Sequence, residues 1–324
     1  MSSARAGAPR ITSHPDGITA VDTEYIRPGL AAAHILQHGG RAAVLDVGTN
    51  SAVPLVLAAL GELGIRRDAV DLVLLTHVHL DHAGGAGALL RALPEARAVV
   101  HPRGAPHLID PARLIQASIA VYGEARYRAL YGELVPIPRE RVITMHDGQR
   151  LSLSGRALQL IDTPGHALHH YCVIDLEYAN AFTGDTFGLS YRELDTPAGA
   201  FILPTTTPTQ FDPEQLVRSI DRVLSYAPRA VYLMHYSRVT GVPELGESLK
   251  AQVRALAELA RRHALTADRA TALTAEMRAL WLGLARRHGI TLSEARLDEI
   301  LGKDLDLNVQ GLIAWLDRRA AARA

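Results

Sequence analysis

Cysteine is almost absent from this sequence of 324 residues, because Cys172 is the only one. A single cysteine excludes an intramolecular disulfide and every zinc site that is built from several thiolates. The sequence also lacks any run of about 18 apolar residues, the length that a membrane span requires. The first residues are polar and small and carry no apolar segment of the secretory type. These absences predict a cytoplasmic protein.

An excess of charge of either sign is missing as well, since 34 Lys and Arg residues balance 34 Asp and Glu residues. This balance argues against nucleic acid or a membrane surface as the main partner. Hydrophobic residues make up 48% of the chain and charged residues 21%, so a packed core is expected. The length allows one large domain or two smaller ones.

Strand-like and helix-like segments alternate over about the first 240 residues. Stretches at 18–25, 33–38 and 41–47 predict strands, and the Gly39-Gly40 pair predicts a hairpin turn between the last two. Asn50 and Ser51 are candidates to cap a helix that runs through Leu60. The apolar run at 70–75 predicts a strand that is buried on both faces, and the stretch from 142 to 174 a series of antiparallel strands. This interleaving favours a layered α/β or α+β fold.

Three regions are predicted: a flexible lead over 1–16, a layered domain over 17–242 with a helical insert at about 103–132, and an all-helical module over 243–324. In the last region the helical segments are 245–263, 266–288, 292–301 and 309–322. Their apolar positions are compatible with packing inside the chain, and equally with a homodimer.

Among fifteen histidines, the informative ones form the pattern His77-x-His79-x-Asp81-His82, directly after the buried strand. Alternate residues of an extended loop point to the same side, so His77 and His79 can converge on one ion. Asp81 and His82 follow and can face a second ion. Without a cation, this crowd of imidazoles and a carboxylate would leave several polar groups poorly paired. We therefore predict a metal site, and nitrogen and oxygen ligands without thiolate suit Zn²⁺, Fe or Mn²⁺.

With these residues the sequence resembles the metallo-β-lactamase fold superfamily, whose mark is H-x-H-x-D-H after a buried strand. Further marks follow in order: a Thr-Pro-Gly-His stretch ending at His166, a Phe-Thr-Gly-Asp stretch ending at Asp185, and a Leu-Met-His stretch ending at His235. The preceding Thr-Pro-Gly selects His166 over the nearby His169 and His170. The resemblance covers about residues 18–240 and implies a four-layer αββα sandwich.

Carried over position by position, the resemblance implies two metal ions. One would be held by His77, His79 and His166. The other would be held by Asp81, His82 and His235. Asp185 would bridge both ions, and Asp81 would also orient the attacking water and accept its proton. Asp46, in an early Asp-x-Gly turn, would support the site without binding metal.

The resemblance implies a hydrolase in which two divalent ions, Zn²⁺ above all, activate water against an ester, thioester or lactone carbonyl of a small molecule. β-Lactamases of this superfamily place a cysteine where Asp185 stands, and the helical C-terminal module resembles that of glyoxalase II. A phosphodiesterase, a persulfide dioxygenase with a single iron and a non-enzymatic scaffold stay open. Tyrosines of the helical insert and near Asp185 are candidate substrate contacts, with core packing as the other role: Tyr122, Tyr127, Tyr131 and Tyr191.

Overall fold

A computed structural model of the chain describes residues 8–206 and 210–322. They form two compact units. The first unit takes the described residues up to Asp162, together with His169–Gly184 and Val231–Arg238. The second unit takes Thr163–Leu168, the described residues from Asp185 to Ala230, and those from Val239 onward. Within the described residues, no helix has both the length and the apolar character needed to cross a membrane.

The first unit contains a seven-stranded sheet in which the strands follow one another in chain order. They are β1 (Ile11–His14), β2 (Ile18–Asp22), β3 (Ala32–His38), β4 (Arg41–Leu45), β5 (Val70–Leu74), β6 (Arg97–Val100) and β7 (Val142–Thr144). Strands β1 to β4 pair antiparallel, whereas β4 to β7 pair parallel. The predicted hairpin is confirmed, since Gly39 and Gly40 both have positive φ between β3 and β4. Strand β5 lies in the middle of the sheet, as its apolar run predicts.

A second sheet of six strands also belongs to the first unit, in the order β13-β12-β11-β10-β9-β8. Its members are β8 (Arg150–Leu153), β9 (Arg156–Asp162), β10 (Tyr171–Asp175), β11 (Asn180–Gly184), β12 (Ala230–Leu233) and β13 (Ser237–Val239). Strands β8 to β11 pair antiparallel. Strands β10, β11 and β12 are completely buried, because they consist mainly of apolar residues.

Six short helices complete the first unit. They are α1 (Val53–Glu62), α2 (Leu80–Ala83), α3 (Ala86–Ala92), α4 (Ala105–Ile109), α5 (Ala112–Tyr122) and α6 (Glu124–Tyr131). The buried faces of α1 and α3 join the apolar side chains of the first sheet in one core cluster. Helices α4 to α6 occupy the predicted insert between β6 and β7.

The second unit is dominated by four helices: α7 (Pro213–Ser225), α8 (Val242–Arg262), α9 (Arg269–Arg287) and α10 (Glu294–Ala321). Asp212, Asp268 and Ser293 cap α7, α9 and α10, each accepting a backbone N–H of the first turn. The helical C-terminal region is therefore confirmed. The predicted segments 292–301 and 309–322 form one helix, because Gly302 between them keeps a helical conformation.

Three further sequence predictions were wrong. The lead over 1–16 was expected to be flexible, yet its residues Ile11–His14 form β1, which pairs with β2; residues 1–7 of that lead lie outside the described residues. The helix expected to run through Leu60 is present as α1, but Asn50 and Ser51 do not cap it: they lie in a short 3-10 helix before α1, and the Asn50 amide donates to the carbonyls of Tyr131 and Glu133. Strand β7 opens the stretch expected to be antiparallel, but it pairs parallel to β6 in the first sheet. The last two errors concern partners far along the chain, which local patterns do not reveal, whereas β1 pairs with the neighbouring β2.

One ion pair is completely buried in the second sheet, between Arg156 of β9 and Asp175 of β10. The guanidinium also donates to the carbonyl of Asp16 and lies over the ring of Tyr178. We expect Arg156→Ala to lower the free energy of unfolding by about 3–5 kcal/mol, because it leaves the Asp175 charge buried without its partner. Urea denaturation measures this, with Arg150→Ala on the exposed face of β8 as the control. Equal losses in both variants would contradict the expectation.

Candidate metal centre

The histidine loop begins where β5 ends at the edge of the first sheet. His79 has extended backbone immediately before α2, so His77 and His79 lie on one side of the loop as predicted. His77 Nε2 lies 2.8 Å from His79 Nδ1, and the ring centroids are 4.4 Å apart. At this separation two imidazole nitrogens either share a proton or face the same cation.

Asp46 lies directly beneath this loop, one residue after β4, and is buried. Its carboxylate accepts from the Thr76 backbone N–H, the Thr76 hydroxyl and His82 Nδ1, each at 2.9 Å. Because the Thr76 hydroxyl donates to Asp46, it accepts from His77 Nδ1 at 3.1 Å. Both histidines therefore carry their ring proton on Nδ1, which leaves the lone pair of each on Nε2. This is the supporting position predicted for Asp46.

The clearest ligand group of the first unit consists of Asp81, His82 and His235, whose ligand atoms lie within 4.8 Å of one another. Asp81 Oδ2 is 3.9 Å from His82 Nε2 and 3.4 Å from His235 Nε2. His235 Nδ1 lies 3.0 Å from the carbonyl oxygen of Leu30, which can only accept, so the lone pair of His235 is on Nε2 as well. Two imidazole nitrogens and a carboxylate oxygen suit Zn²⁺, Fe or Mn²⁺.

The second unit contains His166 and Asp185, with His166 Nε2 at 3.3 Å from Asp185 Oδ2. The Thr205 hydroxyl donates to the Asp185 carbonyl at 3.0 Å and therefore accepts from His166 Nδ1 at 3.1 Å. His166 thus also presents Nε2 as its ligand atom. Gly165 must be glycine, because its φ is +125° and a Cβ would lie 2.2 Å from the backbone nitrogen of Leu216. The Thr-Pro-Gly-His stretch is thereby fixed on α7.

Two histidines that the resemblance does not assign lie close to the loop in the first unit. The His170 ring stacks on His77 with centroids 4.8 Å apart, so it supports the loop from its side. His169 is buried, with its ring 5.8 Å from His79 and 6.3 Å from His107. Burial, with smaller effects of the neighbouring imidazoles, lowers the pKa of His169 to about 3. Apart from adjacency to His166, the sequence holds no signal for either position.

The tyrosines proposed as substrate contacts take different places. Tyr191 is completely buried in the second unit and donates to Asp304 of α10, so it belongs to the packing there. Tyr127 and Tyr131 of α6 are buried in the first unit, with ring centroids 5.7 Å apart. Tyr131 contacts a residue that the sequence did not single out, Tyr25, and the two hydroxyls are 2.8 Å apart.

Residues 26–235 match the family model of the metallo-beta-lactamase superfamily, which is well over half of the chain. The chain belongs to this superfamily. The resemblance stated from the histidine, aspartate and glycine motifs is therefore confirmed.

Two curated relatives are informative. A hydroxyacylglutathione hydrolase of Klebsiella pneumoniae is 32% identical over 152 residues, 46% of this chain and 44% of the relative. An atrochrysone carboxyl ACP thioesterase of Aspergillus fumigatus is 33% identical over 117 residues, 36% of this chain and 27% of the relative. The matched stretches span only 27% to 61% of the length of the first curated relatives.

Among solved structures, a metallo-beta-lactamase family protein of Thermus thermophilus covers 97% of this chain and 93% of its own, with a TM-score of 0.64 and 21% identity. This likeness concerns the fold. The predicted class, a four-layer αββα sandwich of this superfamily with a helical C-terminal module, is thereby confirmed. The chain is a superfamily member with an aspartate and histidines placed to bind a metal ion.

Proposed function

We propose that this protein is a dinuclear metal-dependent hydrolase that cleaves the acyl carbonyl of a thioester, ester or lactone of small size. The main support is that a hydrogen bond engages the same ring nitrogen, Nδ1, in four of the candidate ligand histidines. Hydrogen bonds engage Nδ1 of His77, His82 and His235 in the first unit, and Nδ1 of His166 in the second. Four histidines so arranged offer Nε2 to ions, whereas structural histidines have no need of a common orientation.

The ligand sets are those that the resemblance implies: His77, His79 and His166 for one ion, and Asp81, His82 and His235 for the other, with Asp185 between them. When bound, two divalent ions, Zn²⁺ above all, would lower the pKa of water and polarise a carbonyl oxygen. Asp81 would hold the attacking water through its second carboxylate oxygen and take its proton. Asp46 and Leu30 fix the planes of His82 and His235, so that no reorganisation is needed during the reaction.

Among the acyl substrates, we propose thioesters first. The names of the two relatives denote hydrolysis of an acyl derivative of glutathione and of a thioester on an acyl carrier protein. A thiolate leaves without needing a proton, which suits a site whose buried side chains are neutral imidazoles and metal-binding carboxylates. The balanced charge of the chain supports a small-molecule substrate over nucleic acid.

The test is metal analysis of the purified protein together with a panel of thioesters, lactones and phosphodiesters. We expect two equivalents of metal and hydrolysis of the acyl substrates. Dialysis against a chelator should abolish hydrolysis, and added Zn²⁺ should restore it while the circular dichroism spectrum stays unchanged. One equivalent of iron with oxygen uptake would identify a dioxygenase instead, and turnover of phosphodiesters alone would identify a phosphodiesterase.

A further inference from the structure

The loop between β2 and β3, residues 23–31, has an unusual backbone conformation on both sides of Tyr25. Glu24 and Ile26, on either side of it, both have positive φ, at 52° and 62°. For a β-branched residue such as Ile26 this conformation is a genuine outlier, which costs of order 1–3 kcal/mol and is found mainly at functional sites. The Asp22 carboxylate maintains it by accepting from the backbone N–H groups of Glu24 and Gly29.

The same loop supports the metal centre. Its Leu30 carbonyl accepts from His235 Nδ1, and the Thr23 hydroxyl donates to the Ala31 carbonyl at 3.0 Å. Tyr25 is thus fixed to the segment that orients one ligand of the Asp81, His82 and His235 group.

The partner of Tyr25 is fixed as well. Tyr131 ends α6, and the Asn50 amide donates to its carbonyl, which ties the end of the helical insert to the loop that follows β4. The Tyr25 and Tyr131 hydroxyls are 2.8 Å apart. Only one of the two can donate to the other, so the pair retains one O–H proton for a further acceptor. Among the described residues, that contact is the only hydrogen bond that either hydroxyl makes.

The hydrogen bond between the two hydroxyls can run in either direction. Tyr25 is the more exposed residue of the pair, at 9% against 2% for Tyr131, and is therefore the better placed of the two to meet a bound molecule. Burial raises the pKa of both phenols well above the usual value, and the negative charge of Asp81 raises them further. Asp81 is the strongest charge acting on Tyr25. Both groups are therefore donors at every working pH, and they lie near the carboxylate that is a proposed metal ligand.

We propose that Tyr25 donates a hydrogen bond to the substrate's acyl oxygen as negative charge develops on it, and that Tyr131 is a positioning residue that donates to Tyr25. This inference rests on the proposed hydrolase function and adds a residue that neither the motifs nor the relatives assign. A donor held in place before the reaction stabilises the tetrahedral state more than the bound substrate. A Tyr131 O–H bond to the Tyr25 oxygen makes Tyr25 a stronger donor.

Tyr127 provides a matched control. It lies on the same helix as Tyr131, and its ring packs against Tyr131. Its hydroxyl is buried without a hydrogen-bond partner among the described residues, and the Asp81 charge contributes nothing to its raised pKa. Tyr127→Phe thus removes a phenolic hydroxyl from the same cluster without touching the proposed donor.

The experiment compares Tyr25→Phe, Tyr131→Phe, their double variant and Tyr127→Phe in the metal-loaded protein, after checking equal metal content and Tm. We expect Tyr25→Phe to lower kcat by about 10²-fold with little change in KM. Tyr131→Phe should cost about fivefold, and the double variant no more than Tyr25→Phe alone, because Tyr131 acts only through Tyr25. Tyr127→Phe should match wild type within about twofold.

A binding measurement accompanies the kinetics. Calorimetry with a phosphonate that mimics the tetrahedral state should show about 10²-fold weaker binding to Tyr25→Phe and unchanged binding to Tyr127→Phe. If the wild type hydrolyses no acyl substrate, the proposed function fails and this inference with it. If the wild type is active but Tyr25→Phe behaves like Tyr127→Phe in both measurements, or the two single effects simply multiply, this inference alone is overturned.

Discussion

Asp81→Asn is expected to release one of the two proposed metal ions and to lower kcat/KM by about 10³-fold. The carboxylate oxygen that lies between His82 Nε2 and His235 Nε2 becomes a neutral amide oxygen, a far weaker ligand for a divalent ion. Loss of an ion removes several kcal/mol of transition-state stabilisation, and each 1.4 kcal/mol or so is worth a factor of ten. Elemental analysis and steady-state kinetics measure the two effects on the same sample.

Asp110→Asn is the control for this substitution, since Asp110 is an exposed aspartate of the same unit that accepts a backbone N–H, which Asn can also do. It should retain both ions and full activity. An Asp81→Asn protein that keeps two ions and wild-type kcat/KM would show that Asp81 is not a ligand. A protein that keeps two ions but loses activity would restrict Asp81 to the handling of the proton.

Asp46→Asn is expected to weaken metal binding by about 10- to 100-fold although Asp46 itself touches no ion. Both carboxylate oxygens are occupied by donors, from Thr76 and His82. In the Asp46→Asn variant, the NH₂ group takes the place of one of the two carboxylate oxygens. In either place, its N–H points at one of these donors. When the amide N–H faces His82, it favours the tautomer with the proton on Nε2, the atom proposed to bind metal. Facing Thr76, it leaves a buried N–H unpaired.

The conformation of Asp46 makes this substitution specific. Its φ is 52°, in the left-handed region that Asn adopts as readily as Asp, so the backbone is not disturbed. Asp16→Asn is the control, because Asp16 also has positive φ (63°) and this variant measures the effect of an Asp-to-Asn substitution alone. Competition with a chromogenic chelator gives the affinity for Zn²⁺. Affinity equal to wild type in Asp46→Asn would mean that the hydrogen bond to His82 does not govern its tautomer.

Much of the fold followed from local patterns in the sequence. The strand β5 was predictable because a short apolar run can be buried on both faces, and the helix α7 because a capping Asp212, a proline and apolar spacing agree. Strand β1 and the parallel pairing of β7 were not predictable, since both depend on partners that the sequence pattern does not name. The break expected between 301 and 309 failed because a single glycine does not end a helix whose other residues favour it.

For the site, the sequence by itself determined which residue types are available and, through the spacing of His77, His79, Asp81 and His82, that they share one loop. It did not determine which nitrogen of each ring carries the proton. The tertiary structure decided that, because Asp46, Leu30 and Thr205 are brought to Nδ1 of His82, His235 and His166 from distant segments. For His77, the distant Asp46 takes the hydroxyl proton of the neighbouring Thr76, which then accepts from Nδ1. Tyr25 was invisible in the sequence for the same reason: a lone tyrosine has no pattern, and only the fold places its hydroxyl beside Tyr131 and near Asp81.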